Sequence, residues 1–206
     1  METPNPTRAL HVLCQPAQEI TWRPFVADVA AIVAAPVAIE HRPTHDIATS
    51  DSWPLAYAAA TNDPVLVLPT IDDDRSLTPN PRLQRMLVPT DRSLRERTVL
   101  TDYIRRAETL GIEVQQLHVL SDTTRPTIWE GPGHHAQAWH RELGRRHQLG
   151  STTLEVRSGD PIEVLGTAAD TTDLVMVCWK GHPANGQATI VTSILQNRNH
   201  AVLLLR

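Results

Sequence analysis

The chain has 206 residues, 41% of them hydrophobic and 20% charged, and a mean hydropathy of -0.25, a composition that can close a core and is unlike that of a disordered chain. Its formal net charge of -4 and pI near 6.2 leave no overall positive field to hold nucleic acid, and no segment reaches the ~20 apolar residues of a membrane span. The 2 cysteines, Cys14 and Cys178, both stand in apolar runs, which excludes a disulfide scaffold and suits small buried thiols.

From the amino end, METPNPTRALHVLCQP contains no positive region followed by an apolar stretch of secretory length, so a cytoplasmic location is expected. Within it ALHVLC reads as a strand. EITWRPFVADVAAIVAA, with Pro24 early in the segment, follows as a helix, and PVAIE and PVLVLP are two further short strands. The stretch PTIDDDRSLTPNPRLQ is acidic, proline-containing and without periodicity, and is expected to be a linker over residues 71–84.

Beyond it come the strand RMLVP, the helix SLRERTVLTDYIRRAETLG ending at Gly111, and the strand IEVQQLHVL. A helix is expected at GHHAQAWHRELGRRH, a strand at TTLEVR and a helix at PIEVLGTAADT. DLVMVC, ATIVTSILQNR and AVLLLR then read as strand, helix and strand. Gly159-Asp160-Pro161 is a helix start in itself: glycine for the exit from the strand, aspartate as the N-cap and proline at the first helical position. Most strands are Val/Leu-rich without polar alternation, the pattern of parallel strands covered on both faces.

Strand and helix alternate throughout, which predicts an α/β fold with an open, mainly parallel sheet. Residues 85–206 supply five strands, and residues 1–70 a smaller α/β unit of three strands and two helices. A weak echo links the halves: TNDPVLVLP is similar to NRNHAVLLLR, and ALHVLCQP to RMLVPTD. The smaller unit therefore reads either as a degenerate repeat or as an unrelated addition.

The 10 histidines raise the question of a metal. In the His-rich segment, His135 to His140 is five apart and His140 to His147 spans two turns, ~10 Å along a helix, whereas ligands of one ion need i,i+3 or i,i+4 spacing. A solvated face opposite Ala136, Trp139 and Leu143 accounts better for the histidines, and no metal is expected. Neither a Walker A sequence nor a GxGxxG occurs, and no nucleophile, base or metal-carboxylate pair emerges.

Taken in order, MLVPTD, LHV, SGDPIEVLGTAADTTDLVMV and AVLLLR resemble the universal stress protein family across residues 85–206. The resemblance implies strand order 3-2-1-4-5 and the adenine-nucleotide site that some members carry, with Pro89, Thr90, Asp91 and Val119 at its adenine end. Asp91 follows the first central strand, where a carboxylate can accept hydrogen bonds from an amine or hydroxyl; it can equally cap the next helix.

ATP-binding relatives carry a loop of the form G-x2-G-x9-G-[ST] before the last helix. Here Ala188 and Thr189 take the place of the final pair, the loop WKGHPANGQ is about three residues short, and Gly181 and Gly186 miss the spacing. Lys180 still supplies a charge and Thr189 a hydroxyl that can cap the helix. The loop is a remodelled phosphate site or a plain strand-to-helix connection, and Trp179 is a stacking lid or a seal on the sheet.

The resemblance implies a non-enzymatic regulatory or stress-response protein with weak binding of ATP or another adenine nucleotide. The alternatives are a nucleotide-independent dimerisation or interaction module and an ATP-hydrolysing α/β enzyme. The apolar strand at 201–205 should not stay bare: it pairs either in a homodimer or with PVLVLP in an intrachain pseudo-dimer. Partners among nucleic acids and membranes are not expected.

Overall fold

The computed structural model describes residues 8–16, 19–41, 53–61, 63–69, 81–90, 94–120, 154–179, 187–196 and 200–206, with the backbone alone at 53, 94–98, 187 and 188. In chain order the described elements are β1 (Leu10–Cys14), α1 (Glu19–Val33), β2 (Val37–His41), α2 (Trp53–Thr61), β3 (Val65–Val67), β4 (Arg85–Pro89) and α3 (Leu94–Thr109). They continue with β5 (Glu113–Leu120), β6 (Leu154–Ser158), α4 (Pro161–Ala169), β7 (Leu174–Cys178), α5 (Gln187–Gln196) and β8 (Ala201–Leu205). The expected His-rich helix, and residues 71–80 of the expected linker, lie outside the described residues.

The strands form one sheet of eight, in the order β2-β1-β3-β8-β7-β4-β5-β6. Its last five members, read from the far edge, run β6-β5-β4-β7-β8, which is the order 3-2-1-4-5 for residues 85–206. Every pairing is parallel except β3 with β8, which is antiparallel with Leu66 opposite Leu203. The mainly parallel α/β class therefore holds, with eight strands in a single sheet where the sequence suggested five and a separate unit. Strands β3, β7 and β8 are buried at every position, which is why their sequences carry no polar alternation. The edge strand β2 alternates between exposed and half-buried positions.

Each face of the sheet has its own apolar layer. On one, Phe25, Val29 and Ile32 of α1 and Leu100, Ile104 and Ala107 of α3 pack on Val12, Met86, Met176 and Leu203. The buried positions 25, 26, 29, 32 and 33 of α1 recur at helical spacing and make one apolar stripe. On the other face, Leu55 of α2, Leu165 and Ala169 of α4, and Val191 and Ile194 of α5 cover Val65, Leu87, Val175 and Val202.

Local chemistry sets the ends of these elements. Helix α3 closes on Gly111 (φ 77), with Gly111 N–H donating to Glu108 O at 3.0 Å and Ile112 N–H to Ala107 O at 3.0 Å, a Schellman motif. Asp160 caps α4 by accepting from Ile162 N at 2.8 Å and Glu163 N at 3.1 Å, with Pro161 in the first turn. Helix α1 ends without a glycine: Ala34 takes the left-handed conformation at φ 55, and Arg106 of α3 donates to the carbonyls of Ile32 and Val33 at 3.1 and 3.3 Å.

Two aspartates fix the entry to the central strand. Asp28 of α1 receives Arg82 Nε at 2.8 Å, Arg82 Nη2 at 2.7 Å and Leu83 N at 3.1 Å. Asp173 accepts from Gln84 N at 2.9 Å and Arg85 N at 2.8 Å. Residues 81–84, the end of the expected linker, are thus fastened to α1 and to the start of β7.

Candidate functional site

From β4 the chain proceeds outward to β5 and β6, then returns to β7 and continues to β8 on the other side. Helix α3 packs on one face, α4 and α5 on the opposite one. The carboxyl ends of β4 and β7 therefore flank a topological switch point, where an open α/β sheet leaves a crevice.

Of the residues singled out in the sequence, Pro89 and Thr90 stand at the carboxyl end of β4, and Val119 lies near that of the neighbouring β5. Pro89 ends β4 in register with Leu117 of β5, and Thr90 N–H extends the ladder to Leu117 O at 2.9 Å. His118 Nδ1 donates to Thr90 O at 2.7 Å, a bond that fixes the tautomer at that nitrogen and turns the Thr90 carbonyl toward β5. Val119 is the next residue, half-buried, and stands opposite Arg157 of β6 in the parallel register. His118, the middle residue of LHV, is not among the residues the sequence singles out, because its bond joins residues 28 positions apart and leaves no local pattern.

On the β7 side the chain leaves the sheet through Trp179, whose backbone N–H donates to Leu205 O at 2.7 Å. The Trp179 ring is 4% exposed and packs in the layer with Val177 and Val191, so it seals the sheet and is not a stacking lid. Helix α5 begins at Gln187, one residue before the expected segment. Thr189 is consequently inside the first turn and exposed, which corrects its expected capping role: an N-cap residue must precede the helix, with non-helical dihedrals. Ala188 shares that first turn. Asp91, Lys180, Gly181 and Gly186 lie outside the described residues.

Two further polar features escaped the sequence reading. On the face covered by α2, Tyr57 donates to Glu40 and lies 3.0 Å from His11 Nδ1, while His11 Nε2 faces Asp63 at 3.4 Å. At the β6 edge, the hydrogen bond from Arg157 holds the Glu155 carboxyl below its ordinary range, with burial opposing and Gln115 assisting. Burial, and secondly the charge of Glu19, push the Cys14 thiol up, so it stays protonated and unreactive near neutral pH. Among the described residues, no cluster of three or more histidine, cysteine, aspartate or glutamate side chains is arranged to hold a metal ion, and no helix is long and apolar enough to cross a membrane.

No protein-family model matches the chain, and no curated protein does. Solved structures do. A functionally unknown protein from Pseudomonas aeruginosa PAO1 superposes with a TM-score of 0.54 at 12% identity, over 96% of this chain and 81% of that one. A candidate universal stress protein from Pseudomonas aeruginosa UCBPP-PA14 superposes with a TM-score of 0.52 at 12% identity, over 96% of this chain and 81% of that one. At such identity the likeness speaks for architecture alone, and with the strand order of residues 85–206 it leads to one conclusion: this chain has the universal stress protein fold.

Proposed function

We propose that the chain is a non-enzymatic regulatory protein of the universal stress protein type, acting in the cytoplasm and binding adenine nucleotides weakly at the β4–β7 crevice. One observation supports this function: the sheet has the order β6-β5-β4-β7-β8, with Pro89 and Thr90 at the carboxyl end of β4 beside its switch point. In this proposal Asp91 receives the adenosine portion. Lys180, Gly181, Gly186, Ala188 and Thr189 form an eroded phosphate end, short of the glycines that let backbone amides approach a phosphate.

The smaller amino-terminal unit takes a partner's place in the proposal. Strand β8 is flanked by β7 and, antiparallel, by β3. Both its ladder edges are used within one chain, so an intrachain pseudo-dimer substitutes for a homodimer through residues 201–205. A nucleotide-independent interaction module is the second function to weigh, favoured by the burial of Trp179, which withdraws an aromatic surface from any base.

Titration of ATP, ADP and AMP, with and without magnesium, separates these functions. Weak binding without turnover supports the proposal. Turnover would make the chain an enzyme, and absence of binding would make it an interaction module.

A further inference from the structure

The sheet ends in β6 on one side and β2 on the other, and the two edges are guarded differently. Strand β6 carries Glu155 and Arg157, 44% and 38% exposed along their side chains and bonded to each other at 2.8 Å, and charge of this kind is a usual protection of an edge. Strand β2, VAIEH, has no lysine and no proline, and its register with β1 runs without a bulge from Leu10 opposite Val37 to Cys14 opposite His41. Two of its side chains, Val37 at 41% and Ile39 at 40%, are large, apolar and exposed. In the carboxyl-terminal half, β5 stands to β4 as β2 stands to β1, and β6 covers it. Among the described residues no strand does the same for β2.

The backbone of β2 divides by parity. Leu10 N–H donates to Pro36 O at 2.8 Å, so the carbonyl of Pro36 points to β1. Along a strand the N–H and C=O of one residue share a side and successive residues alternate. Ala38 and Glu40 therefore spend their backbone groups on β1, while Val37, Ile39 and His41 direct theirs outward. The side chains of Val37 and Ile39 turn to the α1 face, where they line a groove with Trp22 and Val26. Charge on that face is balanced: Glu19 lies 2.8 Å from His41 Nε2 and 3.8 Å from Arg23 Nη2. Glu40 turns to the opposite face and accepts from Tyr57.

We infer that β2 is a self-association edge, on which two copies of this chain pair antiparallel about a two-fold axis at Ile39. An interface of this symmetry must match a patch with itself, and few registers of β2 allow it. With the axis at Ile39, Val37 of one copy meets His41 of the other, and every outward residue exchanges its N–H and C=O with an outward residue. Moving the axis to Ala38 sets His41 beyond the strand, opposite Ala35. Moving it to Glu40 places two carboxylates directly opposite, a destabilising pair. In the Ile39 register Glu40 faces Ala38, and Ile39 covers its own copy. This contact is separate from the strand at 201–205, whose two ladder edges are filled within the chain.

Sedimentation equilibrium of the full chain tests the inference over ~10 µM to ~1 mM, the range suited to a contact at the small end of specific interfaces. The mass should rise from 22.9 kDa toward twice that value. Ile39→Lys should remain monomeric throughout, with the parent's melting temperature at the lowest concentration. Should Ile39→Lys fail to fold, Val37→Pro removes an outward donor and leaves the ladder to β1 intact, and should likewise stay monomeric. Residues paired at the axis have Cα atoms ~5.5 Å apart, within disulfide range, so Ile39→Cys should cross-link into a dimer on mild oxidation. Val37→Cys, four residues and so ~14 Å along the strand from its own copy, should not. Cys14 and Cys178 are buried and do not compete. A monomer at every concentration, undiminished dimer in a folded Ile39→Lys or Val37→Pro variant, masses growing beyond the dimer, or equal cross-linking at both positions would each overturn the inference.

Discussion

Replacing Asp28 by alanine should destabilise the chain by about 2–3 kcal/mol, whereas removing its partner Arg82 should cost about 0.5–1 kcal/mol, the range of an exposed ion pair. The asymmetry follows from what each deletion leaves behind. Asp28 is 16% exposed along its side chain and Arg82 65%, so solvent screens the pair and the guanidinium in Arg82→Ala is replaced by water. Asp28 also accepts from Leu83 N at 3.1 Å, at a residue whose side chain is 6% exposed. Asp28→Ala therefore loses the ion pair and strips a backbone donor of its acceptor, a further ~1–3 kcal/mol. Asp28→Asn retains an oxygen for Leu83 and should fall between the two. Urea denaturation of the three variants, at constant m-value, reads these differences directly. If Arg82→Ala costs as much as Asp28→Ala, the aspartate is an ion-pair residue alone and does not anchor the entry to β4.

Ala34→Gly should stabilise the chain by about 0.5–1 kcal/mol, since glycine removes the penalty of a left-handed alanine and returns part of the gain as unfolded-state entropy; the expected readout is a higher urea midpoint, and a fall would contradict it. Leu204→Pro, in a strand paired on both sides, should remove a ladder donor and cost roughly 3 kcal/mol or more, and an unchanged melting temperature would count against the β3–β8 seam. His200 is 3% exposed, and burial pushes its imidazole below the ordinary value of 6.5, with Asp170 opposing. Because the folded-state pKa is depressed, the unfolded chain takes up the proton first as pH falls: stability is complete above 6.5 and declines toward the folded-state pKa, by up to about 1.4 kcal/mol per pH unit. His200→Leu should flatten the melting curve's pH dependence between about pH 7 and 5, and a slope equal to the parent's would remove His200 as its source.

Most of the architecture was legible because buried parallel strands write themselves as unbroken apolar runs. LVMVC of β7 and AVLLL of β8 are buried at every residue, and Gly111 and Gly159-Asp160-Pro161 mark helix ends through backbone chemistry that is local to them. What joins the two halves was less legible. An apolar strand does not encode its neighbour, so the antiparallel match of Leu66 with Leu203, which merges three and five strands into one sheet, was one of two open pairings. Helix α2, WPLAYAAAT, is almost uniformly apolar and was implied only by the need to connect β2 to β3. At the crevice, Pro89 and Val119 were offered by the family resemblance alone, and the Thr90–His118 bond links distant residues and leaves no spacing in the sequence. Thr189 was misplaced relative to its helix because a helix's first turn depends on hydrogen bonds that residue types constrain only within a position or two.

The central claim, a crevice that keeps an adenosine end and has lost its phosphate end, is tested most directly by calorimetry of ATP, ADP and AMP on the parent chain, Asp91→Ala and Thr189→Ala. All three nucleotides should bind the parent alike with a Kd of ~0.1–1 mM, about 4–5.5 kcal/mol of binding free energy; Asp91→Ala should abolish that binding, and Thr189→Ala should leave it nearly unchanged. Submicromolar ATP affinity that collapses in Thr189→Ala would contradict the claim, showing a remodelled and working phosphate loop.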